Sequence, residues 1–410
     1  MVMTGAAILA RIEALAAITA GPGVTRIFLT PEQKRATALV LGWMREAGMA
    51  AHEDAIGNVV GRYEGTRPGV PALVLGSHLD TVRNAGKFDG ILGVVTGIAC
   101  VQALHDAGER LPCPIEVIGF ADEEGVRFPA TLLGSHAVAG RFHPEVLDQA
   151  DDAGVTLAQA LVAHGLDPAR VGTAGRSPEE FGAYLELHIE QGPVLEARGL
   201  PVGCVTSIAG ATRMRVELTG VSGHSGTVPM GQRHDALAGA AECVIAIERR
   251  CGAEPNLVGT VGRIEALPGA VNVIPGGAVF SIDVRAPEDG QRARAVTDVV
   301  AEIEAIAARR ELGVTVRRFH DAPAAPCAPR LRAVIRAAIA AEGLEVFELP
   351  SGAGHDGMAI AELADIGMIF VRCLGGISHN PAESVTEQDA ETGARVLLET
   401  MRRYAAGEGA

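Results

Sequence analysis

Two short apolar runs on either side of a small-residue helix constrain this chain more than any other feature. Ala72 to Gly76 is uninterrupted apolar sequence, Gly90 to Leu104 has the small and apolar texture of a packed helix, and Ile115 to Phe120 is apolar apart from Glu116. Strands without polar alternation are buried on both faces, and strand, helix, strand in that order gives an α/β layer with a mixed, mostly parallel sheet. Ligands of such sheets gather beyond the carboxyl ends of the strands. Both runs end in residues able to do chemistry. The first leads to His78, Asp80 and, after a Gly-containing loop, Asp89; the second leads into ADEEG, with Glu123 and Glu124. Residues i and i+2 of a strand share a face, so Asp80 is expected to reach the ring of His78 and fix its tautomer while the other nitrogen faces a metal.

The remaining chain supplies what these strand ends lack. The apolar start, Met3 to Thr19, is interrupted by Arg11 and Glu13 and has no basic segment before it, so it is expected to be an amphipathic helix rather than a signal peptide or a membrane span. Pro31 opens a second helix that stops at a Gly, and a short extended piece is expected around Asn58 to Tyr63. Between Pro144 and Pro178 the chain is polar, with one expected helix at Leu157 to His164. Ala183 to Gln191 alternates polar and apolar residues, as a half-buried strand does, and ends in His188, Glu190 and Gln191. From Ile208 the pattern becomes strand (Arg213 to Thr219), helix (Asp235 to Arg250), strand (Leu257 to Ile264), strand (Ala278 to Arg285), helix (Gln291 to Arg310) and strand (Val314 to Phe319). That β-α-β-β-α-β order is the ferredoxin-like unit. After a Pro/Ala linker come a helix from Leu331, the loop SGAGHDG, the strand GMIFVRC, the loop GGISHNPAES and a helix to Tyr404. One domain (1–207 and 324–410) interrupted by another (208–323) is therefore expected.

Composition narrows the partners. A formal charge of -15 argues against nucleic acid or an anionic membrane, either of which needs a basic field. The seven cysteines are odd in number and include no C-x-x-C pair, as expected of reduced core thiols in a cytoplasmic protein.

Five candidate ligands stand at strand ends or adjacent loops: His78, Asp89, Glu124, His188 and His379. Mixed imidazole and carboxylate ligation suits zinc, manganese, cobalt or nickel and is too nitrogen-rich for calcium. Five ligands exceed one tetrahedral site and fall short of two unless a carboxylate bridges, and Asp89, short and on a loop, suits the bridge. One of the adjacent carboxylates Glu123 and Glu124 can then ligate while the other stays free as a general base. The plain alternative for ADEEG is a solvated turn. His52, His105, His136, His143, His164 and His320 sit in ordinary contexts, and His224, on a Gly-rich loop, is structural unless something places it beside the metals. His355 and Asp356 fit helix capping or a loop whose backbone approaches an anion.

With these residues in place, GSHLDTV, KFDG, FADEEGVRF, ELHIEQGPVLE, GHSGTVPM, GAVNVIPG, SIDVR, SGAGHDG and GGISHNPAES occur in an order that resembles the M20 metallopeptidase-like family. Within it, HIEQGP resembles the hydantoinase/carbamoylase branch, which contains allantoate amidohydrolases and N-carbamoyl-L-amino-acid hydrolases. The resemblance covers essentially the whole chain. It implies that His78 and His188 hold one divalent metal, that Glu124 and His379 hold another, and that Asp89 bridges them. It also makes Glu123 the catalytic base and Asp80 the partner of His78. Gln191, His224, Asn272, Arg285 and Gly354 would contact substrate, with His224 reaching across a homodimer formed by the inserted domain. Ser225 and Gly357 depart from the family pattern, where Ala is commoner, and leave every expected ligand intact.

The expected activity is hydrolysis of the carbamoyl C–N bond of a small ureido acid, with release of ammonia and carbon dioxide. Allantoate comes first, because GVTRIFLTPEQKRA and IAGATR look closest to allantoate amidohydrolases, and an N-carbamoyl-L-amino acid comes second. A dipeptidase or aminoacylase on the same scaffold and a non-catalytic metal-binding protein are the further alternatives. Glu123 separates the last from the rest, because a structural site has no use for an unligated carboxylate. Arg285 is expected to grip a substrate carboxylate with its planar fork; the plain alternative is that it pairs with Asp283 or Glu288.

Overall fold

A computed structural model describes residues 4–408, which divide into two compact units. The first comprises residues up to 206, 327–349 and 355 onward; the second comprises 207–326 and 350–354. Segment 350–354 thus groups with the second unit, because Ser351 accepts a bond from Ala209 N–H and Gly352 from Arg285.

The sheet of the first unit runs in the order Ala50–Glu53, Val59–Tyr63, Ile115–Phe120, Ala72–His78, Phe181–Ile189, Ile366–Val371 and Val202–Ile208. Its middle three pairings are parallel and the outer ones antiparallel, so the fold is mixed α/β with a mostly parallel centre. Every residue of Ala72–His78 is buried. Helix Ile91–Asp106 lies directly on the sheet: a Cβ on Gly93 would fall 2.2 Å from the Leu187 carbonyl, so small residues are required there. Leu73, Leu75, Val94, Ile98, Val117, Leu185, Leu187, Ile369 and Leu397 belong to one core cluster. Each such side chain stabilises the fold by ~1.5–3 kcal/mol relative to exposure.

The amphipathic helix at the start spans Gly5–Ala16, and Met3 lies outside the described residues. The expected helix at Leu157–His164 forms with a capping box between Thr156 and Gln159. Strand Phe181–Ile189 departs from expectation, for it is buried on both faces rather than half-buried. Its polar residues face protein partners instead of water: Glu186 accepts bonds from Ser77, Tyr184 and the Gly357 N–H.

In the second unit Ile264–Leu267, Gly277–Ala286, Gly210–Thr219 and Gly313–Ala322 form an antiparallel sheet in that order, with Val258–Thr260 also on Gly277–Ala286. Helices Ala236–Cys251 and Asp289–Arg309 share a core with one face, through Val216, Phe280, Ile282, Ile247 and Ile303. Gly277–Ala286 alternates buried and half-buried residues along its length, as a sheet with one covered face requires. The expected strand Leu257 to Ile264 is two pieces, since residues 261–263 leave the ladder between them. Among the described residues no helix is long and apolar enough to cross a membrane. All seven cysteines are buried and none is joined in a disulfide.

Candidate metal centre

Three adjacent parallel strands, ending at His78, Ile189 and Val371, deliver most of the centre. His78 is the last residue of its strand, His188 the penultimate one of the next, and His379 lies on the loop beyond the third. Asp89 sits among them. Its Oδ1 lies 3.1 Å from His188 Nε2 and 3.6 Å from His78 Nε2, and its Oδ2 lies 3.0 Å from His379 Nε2. His379 Nε2 is also 3.6 Å from Glu124 Oε1. These separations are those of atoms that share an ion at about 2.0–2.2 Å from each. His78, Asp89 and His188 form one such group, and Asp89, Glu124 and His379 another. All five expected ligands are therefore brought together, with Asp89 common to both groups.

The backbone fixes which imidazole nitrogens face the centre. His78 Nδ1 lies 3.0 Å from the Asp80 carbonyl and His188 Nδ1 2.9 Å from that of Ile189. A carbonyl only accepts, so both Nδ1 atoms carry the proton; His78 Nε2 then turns its lone pair towards Asp89, while His188 Nε2, beside the same carboxylate, also accepts the Gly90 N–H at 3.2 Å. Lone pairs facing a carboxylate need a proton or a cation between them. Burial would raise the Asp89 carboxyl, but hydrogen bonding with His188, His379 and His78 carries it well below the usual range. Burial likewise opposes charge on His78, yet Asp89 and Glu123 lift its pKa well above the ordinary value. Glu124 Oε1 is buried without a hydrogen-bond partner, and burial is the chief reason its carboxyl is pushed up to about 7. The donor set, the spacing and this orphaned oxygen fit a pair of divalent cations.

Gly90 makes the close approach possible. Its φ is +68°, and a Cβ there would lie 2.5 Å from the His78 ring. Asp80 behaves differently from expectation. Strand alternation stops at His78, and the Asp80 carboxylate turns instead to accept the backbone N–H groups of Glu123 and Glu124, at 3.0 and 3.1 Å. Its Oδ1 remains 3.8 Å from His78 Nδ1, so it is the Asp80 carbonyl that holds the ring.

Glu123 has a ligand atom within 4.8 Å of those of His78 and Glu124. Burial, opposed by His78 and reinforced by Glu124, Asp356 and Asp80, holds its carboxyl well above the usual range. Gln191 donates to Asp89 Oδ2 and to Ser378 Oγ, both at 3.2 Å. His355 is buried with its ring edge-on to His188 at 4.5 Å between centroids. Asp356 makes no capping bond to the short helix Gly357–Ile360, so the capping expectation fails there.

The other expected contacts, His224, Asn272, Arg285 and Gly354, belong to the second unit. His224 is exposed, and its Nδ1 accepts the Gly226 N–H at 3.0 Å, which places the proton of the neutral ring on Nε2. The Asn272 carbonyl accepts from Ser225 N–H, joining the two loops. Arg285 donates through Nε and Nη2 to both oxygens of Asp283, at 3.0 Å each, and through Nη1 to Gly352. The pairing with Asp283 is thus the arrangement present. Glu383, which carries two loops of the centre, was not singled out from sequence; its only signal was its place in GGISHNPAES.

Comparison with known proteins places these features in context. Residues 74–403 match the model of peptidase family M20/M25/M40. The chain is 43% identical to an N-carbamoyl-L-amino acid amidohydrolase of Geobacillus stearothermophilus, over 94% of each chain. It is 40% identical to an allantoate deiminase of Arabidopsis thaliana, over 95% of this chain and 80% of that one. A crystal structure of a hydantoinase/carbamoylase family amidase from Burkholderia multivorans superposes with a TM-score of 0.92 at 34% identity, covering 98% of both chains.

Proposed function

Because this chain belongs to peptidase family M20/M25/M40, we propose that it is a metal-dependent amidohydrolase that cleaves the carbamoyl C–N bond of a small ureido acid. The observation that carries the reading is the convergence of His78, His188, His379 and Glu124 on Asp89, with Glu123 beside them and outside both groups built on Asp89. Two divalent ions bound there would polarise the ureido carbonyl and make water a stronger acid.

Glu123 takes a proton from the attacking water and passes it to the leaving amine nitrogen as the C–N bond breaks. Its raised pKa suits a group that must hold that proton between the two transfers. Asp80 fixes where Glu123 stands by binding its backbone N–H. His224, with its proton on Nε2, donates to the oxygen that gains charge as water adds. The carbamate released falls apart to ammonia and carbon dioxide.

Gln191, Asn272 and Gly354 position the substrate, and Arg285 holds its carboxylate by competing it against Asp283. Asp283 lies between Arg213 and Arg285, so the three side chains together carry excess positive charge in a chain of net charge -15. The second unit pairs with that of a second copy, and the partner's loop completes each site. Allantoate is the first substrate. An N-carbamoyl-L-amino acid is the second, favoured by the 43% identical relative named for that activity.

The test uses metal-loaded protein and follows ammonia from allantoate and N-carbamoyl-L-amino acids, and free amino acid from N-acetyl amino acids and dipeptides. Turnover of either ureido class is expected; turnover of only the last two would replace the carbamoyl reading with an aminoacylase or dipeptidase.

A further inference from the structure

The loops that carry Asp89 and His379 are held together by one side chain. Glu383 is 2% exposed. Its Oε1 accepts the backbone N–H groups of Phe88 at 2.7 Å and Asp89 at 3.1 Å, and its Oε2 accepts the Ser378 hydroxyl at 3.0 Å. Ser378 Oγ is also 3.3 Å from Asp89 Oδ2 and receives a bond from Gln191 at 3.2 Å. Glu383 therefore ties down the backbone of Asp89 from one side, and through Ser378 and Gln191, whose amide donates to both Ser378 Oγ and Asp89 Oδ2, it reaches the carboxylate of the same residue.

The fit is close. A Cβ on Gly86 would lie 2.3 Å from Glu383 Cβ and 2.4 Å from its Oε1, although the backbone of Gly86 is not in the left-handed region. Gly86 is thus small for the sake of Glu383. Folding alone gives little reason for a charge here. A buried carboxylate facing another carboxylate, Asp89, is unfavourable electrostatically, and two backbone amides could be satisfied by a neutral acceptor. The charge gains a use when cations occupy the adjacent centre.

We propose that Glu383 is a positioning residue of the metal centre, fixing Asp89 against His379 and adding negative charge that favours binding of the paired ions. This rests on the paired centre described above. Groups that orient metal ligands from behind typically contribute about 10–100-fold to affinity.

The experiment is a titration of metal-free protein with Mn²⁺, counting bound and free ions by electron paramagnetic resonance, alongside thermal unfolding of the metal-free proteins. Unsubstituted protein is expected to bind two ions per chain. Glu383→Ala should bind the weaker ion about 10–100-fold less tightly, while Glu383→Gln, which keeps an acceptor for the two amides, recovers part of the loss. Should Glu383→Ala not fold, Gly86→Ala displaces the same carboxylate from the opposite side and should weaken the same ion. Fewer than two ions in the unsubstituted protein overturns the paired centre and this inference with it. Two ions there, with unchanged affinity in Glu383→Ala or, where that variant does not fold, in Gly86→Ala, overturns the role of Glu383 alone.

Discussion

The two units hold their functional candidates in opposite ways. In the first, His379 is exposed, but His78, Asp89 and His188 are at most 3% exposed, and both buried rings are fixed by backbone carbonyls at the ends of buried parallel strands. In the second, His224 and Asn272 are exposed on loops joined through a two-residue strand pair, and Arg285 is held by a side chain that another anion could replace. Rigid burial suits groups that must keep a fixed distance to an ion. Exposure suits groups that meet a substrate and release its product. Substitutions in the first unit should therefore act on metal occupancy and rate, and those in the second on substrate affinity and choice.

Chelation tests the first half most severely, because removing the ions is expected to abolish turnover, with Mn, Co, Zn or Ni restoring it to different degrees. Full turnover with no more than one ion per chain would break the paired centre. Next in size is Glu123→Gln, expected to keep both ions and lose roughly 10²- to 10⁴-fold in kcat. Glu124→Gln should instead lower ion occupancy, and identical behaviour of the two would erase the division of labour between them.

His224→Ala sharpens the comparison, since it lies in the second unit yet should lower kcat by about 10²- to 10³-fold if its Nε2 proton serves the developing oxyanion. Mixing it with Glu123→Gln chains should regenerate activity after verified subunit exchange; no recovery would place His224 within its own chain's site or outside chemistry. Arg285→Lys is the smallest effect, a rise in KM of roughly tenfold for every carboxylate substrate with kcat little changed, as expected when a charge is kept and its fork is lost. An unchanged KM would leave Arg285 as the structural partner of Asp283.

Local patterns made much of this legible. Apolar runs marked the central strands, helical spacing marked Pro31–Glu46 and Glu387–Ala405, and strand-end positions marked the residues that gather at Asp89. What stayed hidden depended on partners distant in sequence. The alternation of residues 181–189 looks half-solvated because nothing local reveals that Ser77, Tyr184 and Gly357 satisfy Glu186. Asp80 was assigned by a strand rule that ends with the strand, at His78. Glu383 acts on residues almost three hundred positions earlier, and only folding brings them into contact. The pairing of Arg285 with Asp283, the plain alternative for that residue, follows the same rule that misplaced Asp80, and it holds here because both residues lie within the strand Gly277–Ala286.

The order of the three central strands carries a consequence for how the protein is made. Ala72–His78 and Phe181–Ile189 pair side by side, but Ile366–Val371, which brings His379, is separated from them in sequence by the whole of residues 207–326. A nascent chain that has emerged only through residue 326 contains His78, Asp89, Glu124 and His188 but lacks His379, which completes the second candidate group. Should the proposed paired centre form, its second group waits for residues beyond 326, so ion capture there follows synthesis of the inserted segment.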